Sequence, residues 1–203
     1  EYTALVAAGA VSFVDGVRLV AERGDAMQAA ADAQTGSMAA VMGLDDDDVE
    51  VACARVDGDV WVANLNGPGQ VVIAGTPEAL QLAATEAKEM GARKVLPLPV
   101  GGAFHTPLMA SARDRLRKAI AATDVRDATF GVVANVDARV HTAAEDWSGL
   151  LAAQLCSPVR WRASLHALAD LGANTFVELG PGTVLTGLCT RTLPGSRTVA
   201  VSS

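Results

Sequence analysis

The sequence predicts an α/β protein, a layered domain of alternating helices and strands into which a smaller βαββαβ module is inserted. Three observations lead there. Residues 37–98 run strand, helix, strand, strand, helix, strand, the split pattern of a ferredoxin-like module. The segments on either side alternate helical stretches with strands rich in Val and Thr. Half of the 203 residues are hydrophobic and 19% are charged, ample material for a buried core and outside the range of disordered chains. At about 150 residues per domain the length fits one large domain, or one plus a small insert.

Residues 1–9 (EYTALVAAG) and 12–33 read as two helices, broken at Gly9 and restarted by Ser12 as N-cap. In the second, Phe13, Val17, Val20 and Met27 recur near helical spacing, which predicts one buried stripe, and Gly36 closes the segment. Then come the strand SMAAVMG (37–43), a helix opened by Asp45–Asp48, the strands VWVANLN (60–66) and QVVIAGT (70–76), a helix from Pro77 to Met90, and the strand ARKVLPL (92–98). Thr76, Pro77 and Gly91 supply that last helix with a cap, a first-turn proline and a stop. The acidic run Asp45–Asp48 lacks the alternating ligands and closing Glu of an EF-hand and reads as a first helical turn. Beyond it lie a helix over Pro107–Thr123, the strand TFGVVANV (129–136), helices near 145–156 and 159–171, the strand TFVELG (175–180), a short helix after Gly182 and the strand TVAVSS (198–203).

The formal net charge is −7, with no basic run and 4% aromatics, so binding to nucleic acid or to an anionic membrane is not the expected role. No apolar run reaches the roughly 18 residues of a membrane span. Cys53, Cys156 and Cys189 are odd in number and widely spaced, which argues against a disulfide framework or a zinc site and suits a reducing cytoplasm. The chain opens at Glu1 without Met and runs directly into helical sequence, as the interior of a longer protein would.

Few residues can carry acid–base chemistry. His166 lies in a helix with Arg162 and Asp170 at helical spacing, a structural setting, and His141 stands in a loop without any motif. His105 differs: GGAFHTPLM sets it between a glycine-rich turn and a helix start capped by Thr106-Pro107, where the positive helix end disfavours imidazolium. From these residues alone a general base and a turn histidine bonded to backbone both remain open. Arg23 shares a helical face with Leu19, Val20, Ala26 and Met27 and has no local acid, whereas Arg18 faces Asp15 and Glu22. It fits either a snorkelling side chain or a guanidinium held for a ligand carboxylate. NLNGPGQVVIAG is a hairpin-type connection, and ELGPG (178–182) has no Lys after its glycines and is no phosphate loop.

Six stretches in register, EYTALVAAGAVSFVDGVRLVAERGDAMQ, GSMAAVMGL, NLNGPGQVVIAG, GAFHTPLM, QLCSPVRW and VELGPGTVLTGL, together resemble the malonyl-CoA:acyl carrier protein transacylases, the acyltransferases of fatty acid and polyketide synthesis. The resemblance implies a three-layer, hydrolase-like large domain over residues 1–36 and 99–203 and a ferredoxin-like small domain over 37–98. It implies ping-pong transfer of malonyl from malonyl-CoA to the phosphopantetheine thiol of acyl carrier protein, with no bound cofactor or metal. His105 matches the catalytic histidine, Gln154 the residue whose backbone carbonyl orients it, and Arg23 the arginine that binds the malonyl carboxylate. Asn66 and Gln70 match positions lining the cleft where the pantetheine arm lies. Phe104 matches the position before the histidine that is bulky in malonyl-selective members. Arg93 and Lys94 fall where positive charge meets CoA phosphates or the carrier protein.

The family's nucleophile stands in a Gly-His-Ser-x-Gly elbow just before Glu-Tyr, and no serine of this chain lies in such a context, so the 203 residues alone are expected to be inactive. Three other functions compete. An α/β-hydrolase esterase places its histidine near the C-terminus and has no use for Arg23, whereas 98 residues follow His105. An RNA-recognition module would display aromatics on its central strands, where only Trp61 occurs. A catalytically inert fragment that binds partners would also lack the serine.

Overall fold

The computed structural model describes residues 1–202. Its elements alternate as an α/β protein requires. Two helices, α1 (Tyr2–Ala7) and α2 (Phe13–Ala33), lead into β1 (Ser37–Met42), α3 (Asp46–Ala54), β2 (Val60–Gly67), β3 (Gln70–Gly75), α4 (Pro77–Glu89) and β4 (Lys94–Pro97). A 3-10 turn at Pro107–Met109 opens α5 (Ala110–Ala121), followed by β5 (Val132–Val133), β6 (Val140–His141), α6 (Ala144–Gln154), α7 (Trp161–Asp170), β7 (Thr175–Leu179), α8 (Val184–Thr192) and β8 (Arg197–Val201). Of the expected strand 198–203, Ser203 lies outside the described residues.

The four strands β1 to β4 form one antiparallel sheet in the order β2-β3-β1-β4. Both faces of it are buried, which explains why SMAAVM reads as an unbroken apolar run. Ala39 and Val41 point with Val62, Val71 and Ile73 into a core under α3 and α4, while Met38 and Ala40 alternate to the opposite face with Ala63, Val72 and Ala74. That second face packs on Ala103, with Phe104 and Leu108 at its margin. Gly36 permits this contact, because a Cβ there would stand 2.5 Å from the Ala103 backbone nitrogen. A separate core of Leu5, Leu19, Ala26, Leu116, Ile120, Trp147, Leu151 and Leu155 joins α1, α2, α5 and α6. The sheet also continues outward: Val159 donates to the Ala63 carbonyl and its own carbonyl accepts from Leu65, both at 2.9 Å, which adds the segment after α6 to the β2 edge.

Several local expectations need correction. The stripe of Phe13, Val17 and Val20 is exposed, at 72%, 54% and 51%, and α2 buries Gly16, Leu19, Ala26, Ala30 and Ala31 instead. Spacing identifies residues that share a face, but the face toward α5 is the buried one. The apolar stripe lines, with Tyr2, Thr3 and Val6, a groove of about 210 Å³. Ser12 does cap α2, its Oγ accepting from the Asp15 N–H, whereas Thr76 occupies the cap position of α4 without a side-chain cap bond. Arg18 pairs with Asp15 as expected, but Glu22 turns away to Arg115. Of TFGVVANV, only Val132–Val133 pairs, with Val140–His141.

Candidate active site

His105 is one of two non-glycine residues with positive φ among those described, at 63°. Such a conformation costs roughly 1–3 kcal/mol and persists only where its surroundings enforce it. Thr106 does so. The following proline drives Thr106 into extended backbone (φ −130°, ψ 166°), and its buried hydroxyl donates to the Ala103 carbonyl at 2.6 Å while accepting from the Leu108 N–H at 3.3 Å. The turn is stitched closed, and the imidazole is thrown toward the end of α6.

There Nδ1 of His105 lies 2.9 Å from the backbone carbonyl oxygen of Gln154. A carbonyl can only accept, so Nδ1 carries the proton and Nε2 keeps its lone pair. The Gln154 side-chain Nε2, 3.2 Å from Nδ1, then faces a donor and directs its hydrogen bond to the Ser157 carbonyl at 3.1 Å instead. Gln154 Oε1 is buried without a partner among the described residues. Burial lowers the His105 pKa, and the nearby Arg23 charge adds to that, against the raising effect of the backbone at Gln154 and, to a smaller degree, at Ser157. Desolvation thus favours the neutral imidazole that the sequence attributes to the helix end. None of the hydrogen bonds found among the described residues reaches His105 Nε2.

Arg23 is half-buried on α2 and makes no ion pair or hydrogen bond among the described residues. Its charge reaches His105, Glu1 and the Tyr2 hydroxyl. Sequence reasoning missed Glu1, whose Oε1 accepts from the Asn135 N–H at 2.7 Å, and Tyr2, whose buried hydroxyl has no partner and whose pKa is pushed up to about 12 by burial. Both are one-letter neighbours in an apolar-looking helix start, and only the fold brings them beside Arg23.

The other expected residues divide. Phe104 packs against both the α1/α2/α5/α6 core and the sheet core. A cleft of about 470 Å³ reaches His105 between Cys53, Trp61 and Val62 on one wall and Cys156 and Pro158 on the other. Asn66 and Gln70 do not line it; they sit farther along β2 and β3, beyond the Val159 bridge. Gln70 and Lys94 both pair with Met42, so Arg93, Lys94 and Gln70 share one end of the sheet, and Arg191 of α8 donates to Gln70 Oε1 at 2.9 Å. Arg191 was not singled out from the sequence. Among the described residues no cluster of His, Cys, Asp or Glu could hold a metal ion, and no helix is long and apolar enough to cross a membrane.

A strained histidine held by a main-chain carbonyl, near an unpaired arginine on an α/β scaffold, defines a candidate site for proton transfer beside an anionic substrate. Comparison with known proteins gives the scaffold its family: residues 1–202 match the acyl transferase domain model, and the chain belongs to that family. The malonyl CoA-acyl carrier protein transacylase of Bacillus subtilis is 44% identical over 205 residues, covering 100% of this chain and 65% of the relative. The crystal structure of the malonyl-CoA:acyl carrier protein transacylase of Xanthomonas oryzae superposes with a TM-score of 0.95 at 43% identity, over 98% of this chain and 64% of that one. A solved complex of a type II PKS acyl-carrier protein with its malonyl-transacylase matches at 38% identity and a TM-score of 0.94, over 100% of this chain and 65% of that one. The chain thus spans just under two thirds of the length of these relatives.

Proposed function

We propose that the chain carries the general base, the carboxylate clamp and the carrier-facing edge of a malonyl-CoA:acyl carrier protein transacylase of fatty acid or polyketide synthesis. The single observation that carries the reading is His105 with Nδ1–H fixed on the Gln154 carbonyl and Nε2 free. On this reading residues 37–98 are a ferredoxin-like unit, as the sheet order β2-β3-β1-β4 suggests, set into a hydrolase-like unit of 1–36 and 99–203. The three free thiols suit a cytoplasmic setting.

In the proposed reaction Arg23 holds the malonyl carboxylate through two parallel hydrogen bonds. His105 Nε2 takes the proton of a serine hydroxyl borne on the part of the relatives' length that this chain does not span. The serine oxygen bonds to the thioester carbonyl carbon, the carbon–sulfur bond breaks, and the leaving thiolate of CoA takes the proton from the imidazolium. The carrier-protein thiol then gives its proton to His105 and attacks the acyl-serine, and the serine oxygen leaves with that proton. The Gln154 carbonyl stands where a triad acid would, accepting from Nδ1–H more strongly once the ring is charged. Asn66 and Gln70, outside the cleft at His105, face only the distal stretch of the pantetheine arm; Arg93 and Lys94, joined by Arg191, meet phosphates or the carrier. No cofactor is needed.

The test is a chimera joining this chain to the remaining third of the Bacillus subtilis relative, assayed for malonyl transfer. Its kcat/KM should fall on the acid side with a midpoint below the ordinary histidine value of about 6.5, because a depressed pKa keeps the base neutral to lower pH. By the same sign, the ring's contribution to stability is present above the unfolded value and is lost as pH falls through the folded one. An acid limb at or above the ordinary value would contradict the assignment.

Selectivity gives a second check. The Phe104 ring lies over Gly102, where an added Cβ would come within 2.9 Å of it, and is read as occupying the volume an α-methyl branch needs. Phe104→Ser should raise methylmalonyl turnover relative to malonyl, and it should also lower the thermal midpoint, since the ring packs against two cores. An unchanged ratio in the folded variant assigns Phe104 to packing alone.

A further inference from the structure

Away from this site, one histidine is gripped from both sides. His141 closes β6 with its side chain 17% exposed; Nε2 lies 3.0 Å from Asp137 Oδ2 and Nδ1 lies 3.1 Å from Asp146 Oδ2. Its ring meets the buried Trp147 edge-on, centroids 5.8 Å apart. A neutral imidazole has one N–H and can donate to only one of these carboxylates, leaving a lone pair against the other; the imidazolium donates to both. The other charged groups at this corner are Asp127, which accepts from the Ala144 N–H at 2.8 Å, Glu145 beside Asp146, and the exposed Arg139, whose N–H donates to Asp137, while the paired strand β5 brings only Val132 and Val133. Partial burial disfavours the charge, but the two hydrogen bonds and the carboxylate charges outweigh it and raise the pKa.

The two carboxylates belong to different elements. Asp137 lies in the turn between β5 and β6, where Ala138 has φ 59° and Asp137 Oδ1 accepts from the Arg139 N–H. Asp146 lies in the first turn of α6, and the same helix ends at Gln154, whose carbonyl holds His105. An 11-residue helix moves as a rod about 16 Å long, so a restraint at its head is felt at its tail.

We propose that His141 is a positioning residue: as imidazolium it ties the head of α6 to the β5–β6 turn and so keeps the Gln154 carbonyl on His105, and its deprotonation slackens that tie. The tie is complete below about pH 6.5 and is lost as pH rises through the ring's higher folded value. The proposal leans on the acyl-transfer reading only for the role of His105.

Nitrogen-resolved NMR of the 203-residue chain should find both His141 ring nitrogens protonated at about pH 6, with a midpoint above about 6.5. Hydrogen-exchange protection factors over Trp147–Leu151 should fall across that midpoint, by roughly tenfold for each unit by which it exceeds the unfolded value. The His105 Nδ1–H signal should weaken over the same range. His141→Arg, a permanent cation, should hold protection at both ends of the range, and His141→Gln should remove the step. If His141→Gln fails to fold, Asp146→Asn serves, and should bring the midpoint down toward the ordinary value. Flat protection through the wild-type midpoint, or a step that persists in His141→Gln, overturns the proposal. None of these readouts needs turnover, so the result is separate from that of the transfer assay.

Discussion

His105→Ala in the chimera is expected to cut malonyl transfer by on the order of 10² to 10⁴, with KM for malonyl-CoA little changed. The expectation follows from geometry: Nδ1–H is committed to the Gln154 carbonyl, so the ring presents one basic nitrogen in one orientation, and alanine offers none. Asparagine in its place should not rescue, since an amide neither accepts a proton at this pH nor passes it to a leaving thiolate. The variant should fold, because Thr106 and not the imidazole holds the turn, and alanine tolerates positive φ less well only by a small margin. Steady-state kinetics decides the matter. Loss confined to KM would make His105 a binding residue, and unimpaired kcat would remove it from the chemistry.

Arg23→Ala should lower malonyl transfer by on the order of 10² to 10³, the consequence of leaving a sheltered carboxylate unpaired. Acetyl transfer, which has no carboxylate to hold, should be spared or improved. Removing the charge should also let the His105 pKa rise, because Arg23 opposes protonation of the ring. The acid limb of the pH profile would then move toward neutrality, a readout that simple loss of packing would not give. Lysine should restore little, as it lacks the planar two-pronged geometry. A malonyl to acetyl ratio unchanged in Arg23→Ala would mean that the guanidinium is structural.

Much of the architecture was legible where one signal decides. The run SMAAVM reads as a strand because both faces of β1 are buried, and α4 reads as a helix because Pro77 opens it and Gly91 stops it. Ser12 and Thr106 act as caps through their own hydroxyls, which needs no tertiary partner. Phe13, Val17 and Val20 misled because periodicity gives a shared face and not its neighbour. TFGVVANV misled in another way: β-branched residues favour a strand, but pairing ends after Val133, close to where Gly131 backs onto Val140. At the site, turn chemistry left His105 open between a base and a backbone-bonded turn histidine, and only the family resemblance gave it an expected catalytic role. The Gln154 contact has no signature of its own, since any residue has a carbonyl, and it entered through family resemblance alone. His141, expected in a loop, closes β6 instead, and its aspartates stand four residues before it in a turn and five after it in α6, so no single periodicity marks the three as partners.

The most direct test of the central claim is mass spectrometry after brief incubation with malonyl-CoA. The chimera should carry one malonyl group on a serine outside these 203 residues, the group should pass to added holo acyl carrier protein, and His105→Ala should acquire it far more slowly. The 203-residue chain alone should remain unmodified. A stable malonyl adduct on any serine of this chain, or equal labelling of the chimera with and without His105, would contradict the account.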